Sequence, residues 1–399
     1  MLSEPNVLPL ASATLFNAAG NNVYSVALGW LAYDMTKSPL AVGAVLGFRT
    51  LPMLFMGLLS GAVNDRMHRP TVLRLYALYY TALSFGFTTL LFFGDVRVAH
   101  MLVYMFLVGL GFAFGPAARR AIYADSVERS HVVDALAVDA TLFGLGHLTM
   151  PAIVGLVLAT YGAGTAFALQ GILYTVMTIL AFRVSTPRRA VALGGHPPYL
   201  TSIKEGLSYA KGQPGVLRML GLASFLTLLG ADFVTALVSV VSVEVFDAGA
   251  QGIGLILAGV AAGAMVGPMA LLALKDWLGT VGTLAGSVAV LGLAMIAFAA
   301  APTLVLAIAA FVVIGAMLPI QKALTDGYIQ LAVAEEFRGR VGSLIQMTRG
   351  VSSLSALLAG AMAQFLGVEI AIAIGGATVS AGALWSFRTF KRYGVDGWS

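Results

Sequence analysis

Gly61-Ala62-Val63-Asn64-Asp65-Arg66-Met67-His68-Arg69 is a polar break between two apolar runs, Leu40–Val63 and Thr71–Phe93. Either run, wound as a helix, is long enough to cross about 30 Å of hydrocarbon at 1.5 Å per residue. An acid and several bases pinched between two such helices define a charged turn at a membrane surface. A soluble fold has no use for that arrangement.

The rest of the chain extends the pattern. Of 399 residues, 59% are hydrophobic and 10% charged, with mean hydropathy +0.90, where a soluble domain carries about 25% charge. Apolar runs separated by polar breaks predict twelve helices, near 7–33, 40–63, 71–93, 100–123, 132–160, 162–184, 216–245, 250–274, 280–300, 303–325, 339–366 and 368–388. The expected class is an all-α polytopic membrane protein. The 46 glycines suit close helix approach in lipid, and the alternation of a membrane β-barrel is missing. Cysteine is absent and the five histidines are scattered, so neither disulfide nor metal site is expected, and no cofactor. The first apolar run lacks a basic flank and a cleavage site and is expected to remain as a helix.

Charge gives orientation. With the N-terminus cytoplasmic, all of the 23 Lys and Arg residues fall on the cytoplasmic side except Lys37, Arg97, Arg49 and Arg349. The positive-inside rule then places both termini in the cytoplasm. The net charge of +5 is a topology signal rather than a nucleic-acid one. The longest polar segment, 185–215, divides residues 1–184 from 216–399, six spans each. Within it Leu200, Ile203, Leu207 and Ala210 share one face of an amphipathic stretch, Tyr199–Lys211, expected at the membrane surface.

The halves repeat one another. Pro116-Ala117-Ala118-Arg119 corresponds to Pro319-Ile320-Gln321-Lys322, with Asp125 and Asp326 following; Gly146 corresponds to Gly350 and Gly162 to Gly367. Matching the first span of each half pairs Asn21 with Asp232 and Gly43 with Gly254. Two six-helix bundles related by a pseudo-twofold axis place a binding site near the midplane between them.

The Asp65 turn resembles the G-x-x-x-D-R-x-G-R loop of the major facilitator superfamily, with His68 where glycine is usual. The resemblance extends to Tyr33-Asp34-Met35-Thr36-Lys37-Ser38-Pro39-Leu40, Gly115-Pro116-Ala117-Ala118-Arg119 and Arg338-Gly339-Arg340-Val341, and points to the branch of macrolide-efflux and siderophore-export proteins. It implies that Gly61 and Asp65 form a cytoplasmic gate latch against the positive N-terminal end of the eleventh helix, which begins with Arg338 and Arg340. Arg119 or Arg120 would be the basic partner, and Arg66 and Arg69 would brace the loop. The arginine that many proton-coupled drug antiporters carry in helix 4 is missing, because Tyr104, Met105 and Phe106 precede Gly109-Leu110-Gly111.

An ionisable group at mid-membrane costs at least roughly 2.5–3.5 kcal/mol and is a functional candidate by default. Arg49, Asp139, His147, Asp232 and Arg349 qualify, with mutual pairing of the two acids and two arginines as the structural alternative; Asp139, nearer the cytoplasmic end, is expected to be solvated. Asp232, desolvated, suits reversible protonation. Asn17 and Asn21, one helical turn apart, and Gln346 are added as polar handles. Phe16, Tyr24, Phe112, Phe225, Phe233 and Phe311 are expected to line an apolar cavity with them. No H-E-x-x-H, G-x-S-x-G or G-x-x-x-x-G-K-[ST] is present, so an enzyme is not expected. The expected function is proton-coupled efflux of amphipathic small molecules by a monomer in the bacterial inner membrane. Uptake, lipid flipping and a non-transporting sensor are the alternatives.

Overall fold

A computed structural model describes residues 6–53, 56, 67–185 and 199–392. The described residues form twelve spans. In order they are α1 (Val7–Thr36), α2 (opening with Pro39–Phe48), α3 (Arg69–Phe93), α4 (Val98–Asp125) and the fused helix Val132–Arg183, which divides at Gly162 into α5 (132–161) and α6 (163–183). The second half has α7 (Pro214–Glu244) and Gly249–Ala299, divided at Gly279 into α8 (249–278) and α9 (280–299). It ends with α10 (Leu304–Ala332), α11 (Arg338–Leu366) and α12 (Val368–Arg392). Asn6, ahead of α1, and Ser185, past α6, meet on one face, the terminal face.

Local chemistry sets the boundaries. Pro39 stands at the first position of α2, and the Ser38 hydroxyl accepts from the Ala41 amide at 3.3 Å, so one orphan donor of the new helix is satisfied. The repeat inferred from sequence reappears in backbone geometry. Gly162 (φ 80°) turns α5 into α6 as Gly367 (φ 88°) turns α11 into α12, a conformation that only glycine adopts without strain. Each of α5 and α11 is also preceded by a single 3₁₀ turn, Arg129–His131 and Glu335–Phe337.

Three spans are broken where continuous helices were expected: α2 stops at Phe48 and turns through residues 49–52, and α4 and α7 are interrupted as well. α4 stops at Phe112 and restarts at Gly115, because Pro116 has no amide to donate and its ring excludes a carbonyl four residues earlier. α7 stops at Leu229, turns at Gly230 (φ −88°, ψ −132°) and restarts at Ala231. α10 runs to Ala332 rather than ending near 325.

Within the first half, Asn6 and the Ser185 backbone exchange two hydrogen bonds, 2.6 and 3.0 Å, and Arg74 donates to the carbonyls of Ala181, Phe182 and Val184 at the end of α6. The linker helix, Tyr199–Gly212, docks on the second half. Glu205 pairs with Arg340 at 2.9 Å, and the Tyr209 ring stacks on Phe337 at 4.4 Å. It is thus both a surface helix and a brace on the start of α11.

The tightest contacts between the halves lie away from the terminal face. In one seam a Cβ on Gly43 would meet the Ala356 carbonyl and lie 3.1 Å from Gly360 Cα. In the other, a Cβ on Gly155 would lie 2.7 Å from the Ala250 carbonyl and 3.2 Å from Gly254 Cα. These α2–α11 and α5–α8 seams are pseudo-equivalent, which gives a structural meaning to the matching of Gly43 with Gly254. Spaced small residues bring backbones together where lipid supplies no hydrophobic drive. Polar contacts flank the first seam, Ser38–Gln364 at 2.7 Å and Thr50–Ser353 at 2.6 Å. Tyr33 of α1 donates to Glu244 of α7 at the same end. The molecule is closed at this far end.

Candidate functional site

Asp232 lies at the middle of α7, in the first turn after the Gly230 break. It is surrounded by protein yet exposed, since it opens onto a cavity of about 200 Å³ between α7, α10 and α11. Thr227, Gln321, Thr325 and Thr348 give the wall its polar groups, and Lys322, Asp326 and Ile329 carry it toward the terminal face. The break does more than bend the helix. It supplies a fresh helix start beneath the carboxylate, whose N-terminal amides favour negative charge by roughly 0.3–1 kcal/mol. Asp232 accepts a hydrogen bond from Ser352 of α11 and feels the charge of Arg49.

Arg49 comes from the other half, just past Phe48 in α2. Its guanidinium lies 4.8 Å from the ring centroids of both Tyr24 and Phe112, and Gly109 of α4 packs against its backbone carbonyl. Aromatic faces attract such a cation by about 0.5–2 kcal/mol, more when dry, without satisfying its N–H donors. The expected mutual pairing of buried charges thus fails for this residue: among the described residues Arg49 forms no ion pair.

Asp139 takes a different base. It pairs with Arg119 at 2.8 Å, and both side chains are 5% exposed. Thr14 donates to the same carboxylate at 3.0 Å and contacts Tyr123 at 3.2 Å, while the Arg119 guanidinium lies 5.0 Å from the Phe143 ring. Asp139 is therefore not solvated: α1 and α4 close over it. Arg119, predicted as the latch base, is held inside the first half by this pair. His147 sits two turns beyond Asp139 on α5, its ring 4.7 Å from Phe143, in the field of Arg49 and Arg119.

Asn17 and Asn21 do not face a cavity. They are 2% and 3% exposed and belong to a tyrosine network within the first half. Tyr76 donates to Asn17 at 3.0 Å; Tyr24 and Tyr174 donate to Asn21 at 3.2 and 3.4 Å; Tyr104 donates to Gln170, which donates to the Gly20 carbonyl. The facing tyrosine hydroxyls need acceptors, and the two amides provide them. Tyr24, Phe233 and Phe311 are likewise buried, whereas Phe16, Phe112 and Phe225 are half-buried.

On the terminal face Arg69 pairs with Asp125 and donates to the Ala121 carbonyl, and Arg340 is engaged by Glu205 and the Phe337 ring. Arg120 is exposed. Gly61, Asp65 and Arg66 lie outside the described residues, as do the side chains of Arg338, Gln346 and Arg349. Ser352, the tyrosine network and the Tyr33–Glu244 contact were missed by sequence reasoning. Tyr76 and Tyr80, four apart beside Tyr79 within one span, and Glu244 closing an apolar run, were the available signals.

Twelve spans in two bundles, closed at one end and meeting around central charges, are the architecture of a membrane transporter that works by alternating access. The profile of the transmembrane secretion effector family matches residues 6–393, and the chain belongs to that family, within the major facilitator superfamily. It is 27% identical to the multidrug efflux pump Tap of Mycolicibacterium fortuitum, over 91% of this chain and 90% of that protein. It is 23% identical to the staphyloferrin A transporter of Staphylococcus aureus, over 88% and 87%. The crystal structure of the nucleoside transporter NupG shares the fold with TM-score 0.80 at 14% identity, covering 97% of this chain and 99% of that one. These relatives are transporters, not enzymes.

Proposed function

We propose that the protein is a proton-coupled exporter of amphipathic small molecules, drugs or siderophore-like metabolites, acting as a monomer in the bacterial inner membrane with both termini cytoplasmic. The observation that carries this reading is Asp232, a mid-membrane carboxylate at a helix break, open to a cavity that leads toward the terminal face. A carboxylate there gains a proton or releases it according to which face the cavity meets. The basic residues of the terminal face make that face cytoplasmic by the positive-inside rule. With the far seams closed, the state described is the one that loads from the cytoplasm. The relatives named as an efflux pump and a staphyloferrin A transporter support a small organic cargo.

At about 200 Å³ the cavity beside Asp232 is smaller than the usual 300–1,000 Å³ of a drug site. It suits a head group, with the apolar body of the cargo against the adjoining walls. Asp65, in the polar break of the sequence between the second and third spans, is proposed as the latch that closes this side when the far side opens.

The test is proton movement in proteoliposomes under an imposed pH gradient, with lipophilic cations, macrolides, siderophores and lysolipids supplied in turn. Dissipation that needs one compound class and is lost in Asp232→Asn supports the proposal. Compound-dependent flux that keeps the parent's pH dependence in Asp232→Asn removes Asp232 as the proton site, and transport without proton flux removes the coupling.

A further inference from the structure

The central charges are unequal in how they are held. Arg119 and Asp139 neutralise each other at 2.8 Å behind α1. Arg49 and Asp232 do not. Arg49 leans on two rings, which occupy none of its five N–H donors. Among the described residues it makes neither an ion pair nor a side-chain hydrogen bond. Asp232 has Ser352 as its side-chain partner and two oxygens able to take more. The two belong to opposite halves and act on each other through their fields without touching. Leaving a base and an acid separated at mid-membrane is costly, and a guest that contacts both would relieve that cost.

We infer that the site recognises a zwitterionic amphiphile, whose anionic group fills the open donors of Arg49, whose ammonium group meets Asp232, and whose apolar body lies against Phe112. The inference rests on the reading of the Asp232 cavity as the transport site and names its cargo class. A planar guanidinium takes a carboxylate through two parallel N–H bonds. The cavity beside Asp232 is sized for a head group, with Thr227 and Gln321 within its wall. Because the charges sit on different halves, a zwitterion bridges the bundles, whereas a cation or an anion contacts one of them. Phe112, half-buried and 4.8 Å from the guanidinium, puts an apolar surface beside the anionic end of the guest.

The experiment uses the full chain in lipid nanodiscs and four probes with one apolar body: 2-naphthylalanine, its methyl ester, its N-acetyl derivative, and its N-acetyl methyl ester. These are zwitterion, cation, anion and neutral. Calorimetric affinities are measured for the parent, Arg49→Gln, Arg49→Lys and Asp232→Asn, each checked for folding by its melting transition. The zwitterion is expected to bind at least about tenfold more tightly than either single ion, in line with charge-assisted hydrogen bonding at a desolvated site. Arg49→Gln should bring it down to the level of the ester, Arg49→Lys should restore part of the advantage, and Asp232→Asn should bring it down to the level of the N-acetyl acid. A zwitterion no tighter than the single ions, an advantage that survives both neutral variants, or no binding by any of the four overturns the inference. If the ester depends on Asp232 and the acid on Arg49 but the zwitterion gains nothing, the transport site stands and only the cargo class falls. If probes bind and none of the variants changes any affinity, the placement of the site falls as well.

Discussion

Replacing Gly43 by leucine should hold the far end of the molecule open. At this point of the α2–α11 seam a single Cβ would already press on the Ala356 carbonyl and sit 3.1 Å from Gly360 Cα, and both obstacles are backbone atoms that no rotamer change can move. Overpacking a close helix contact costs about 1–3 kcal/mol. At 1.4 kcal/mol per tenfold this is roughly a 5- to 150-fold shift in the balance between closed and open, and the alternating states of such a machine lie within a few kcal/mol of each other. The penalty falls only on the closed far end, so the shift has one direction. The chain contains no cysteine, so spin labels can be placed directly at Asp95→Cys, in the α3–α4 turn of the first half, and Pro302→Cys, in the α9–α10 turn of the second. Pulsed electron resonance on the parent should give a short main distance between these far-face loops, and Gly43→Leu a longer one as the dominant population, with transport reduced. An unchanged distance distribution in a folded, leucine-bearing protein would refute the argument that this seam carries closure.

The same reasoning applied to the pseudo-equivalent seam predicts that Gly155→Leu, whose Cβ would lie 2.7 Å from the Ala250 carbonyl, lengthens the same distance. Removing one partner of the buried Arg119–Asp139 pair, as in Arg119→Gln, strands a charge and should cost about 3–5 kcal/mol. The double variant Arg119→Gln/Asp139→Asn should recover part of that in a detergent melting curve, and a double variant less stable than the sum of the singles would contradict it. Glu205→Gln, by contrast, breaks a pair whose side chains are 41% and 36% exposed, so the melting temperature should change little, by an amount worth at most about 1 kcal/mol that shrinks further in high salt. Gly162→Ala forces a Cβ into φ 80°, and should destabilise the α5–α6 turn by about 1–3 kcal/mol, read as a lower melting temperature than that of the parent.

The spans were legible because a membrane enforces one rule: every stretch of about 20 apolar residues must satisfy its own backbone as a helix. The repeat was legible because Gly162 and Gly367 occupy the same turn with the same unusual φ. The breaks in α4 and α7 were not, since a lone proline or glycine within a transmembrane run as often packs as it interrupts. Of the candidate site, composition could say that Arg49, Asp139 and Asp232 are costly where they sit. It could not say which of them is neutralised, because Arg119 reaches Asp139 across 20 residues of chain and through a turn. Asn17 and Asn21 misled for a related reason: helical spacing fixes which residues share a face, but whether that face meets a cavity or the hydroxyls of Tyr76 and Tyr174 depends on neighbouring helices.

The paired hydrogen bonds between Asn6 and Ser185 have a consequence for how the chain is made. They join the residue before α1 to one just past α6, so the last partner the first bundle needs arrives as Ser185 leaves the ribosome. Domains generally fold as units, N-terminal first, during synthesis. Here the first half can close on itself before α7 exists, with Arg119 already matched to Asp139. Among the described residues Arg49 makes no ion pair in either half, and it comes under the field of Asp232 only when the second half arrives.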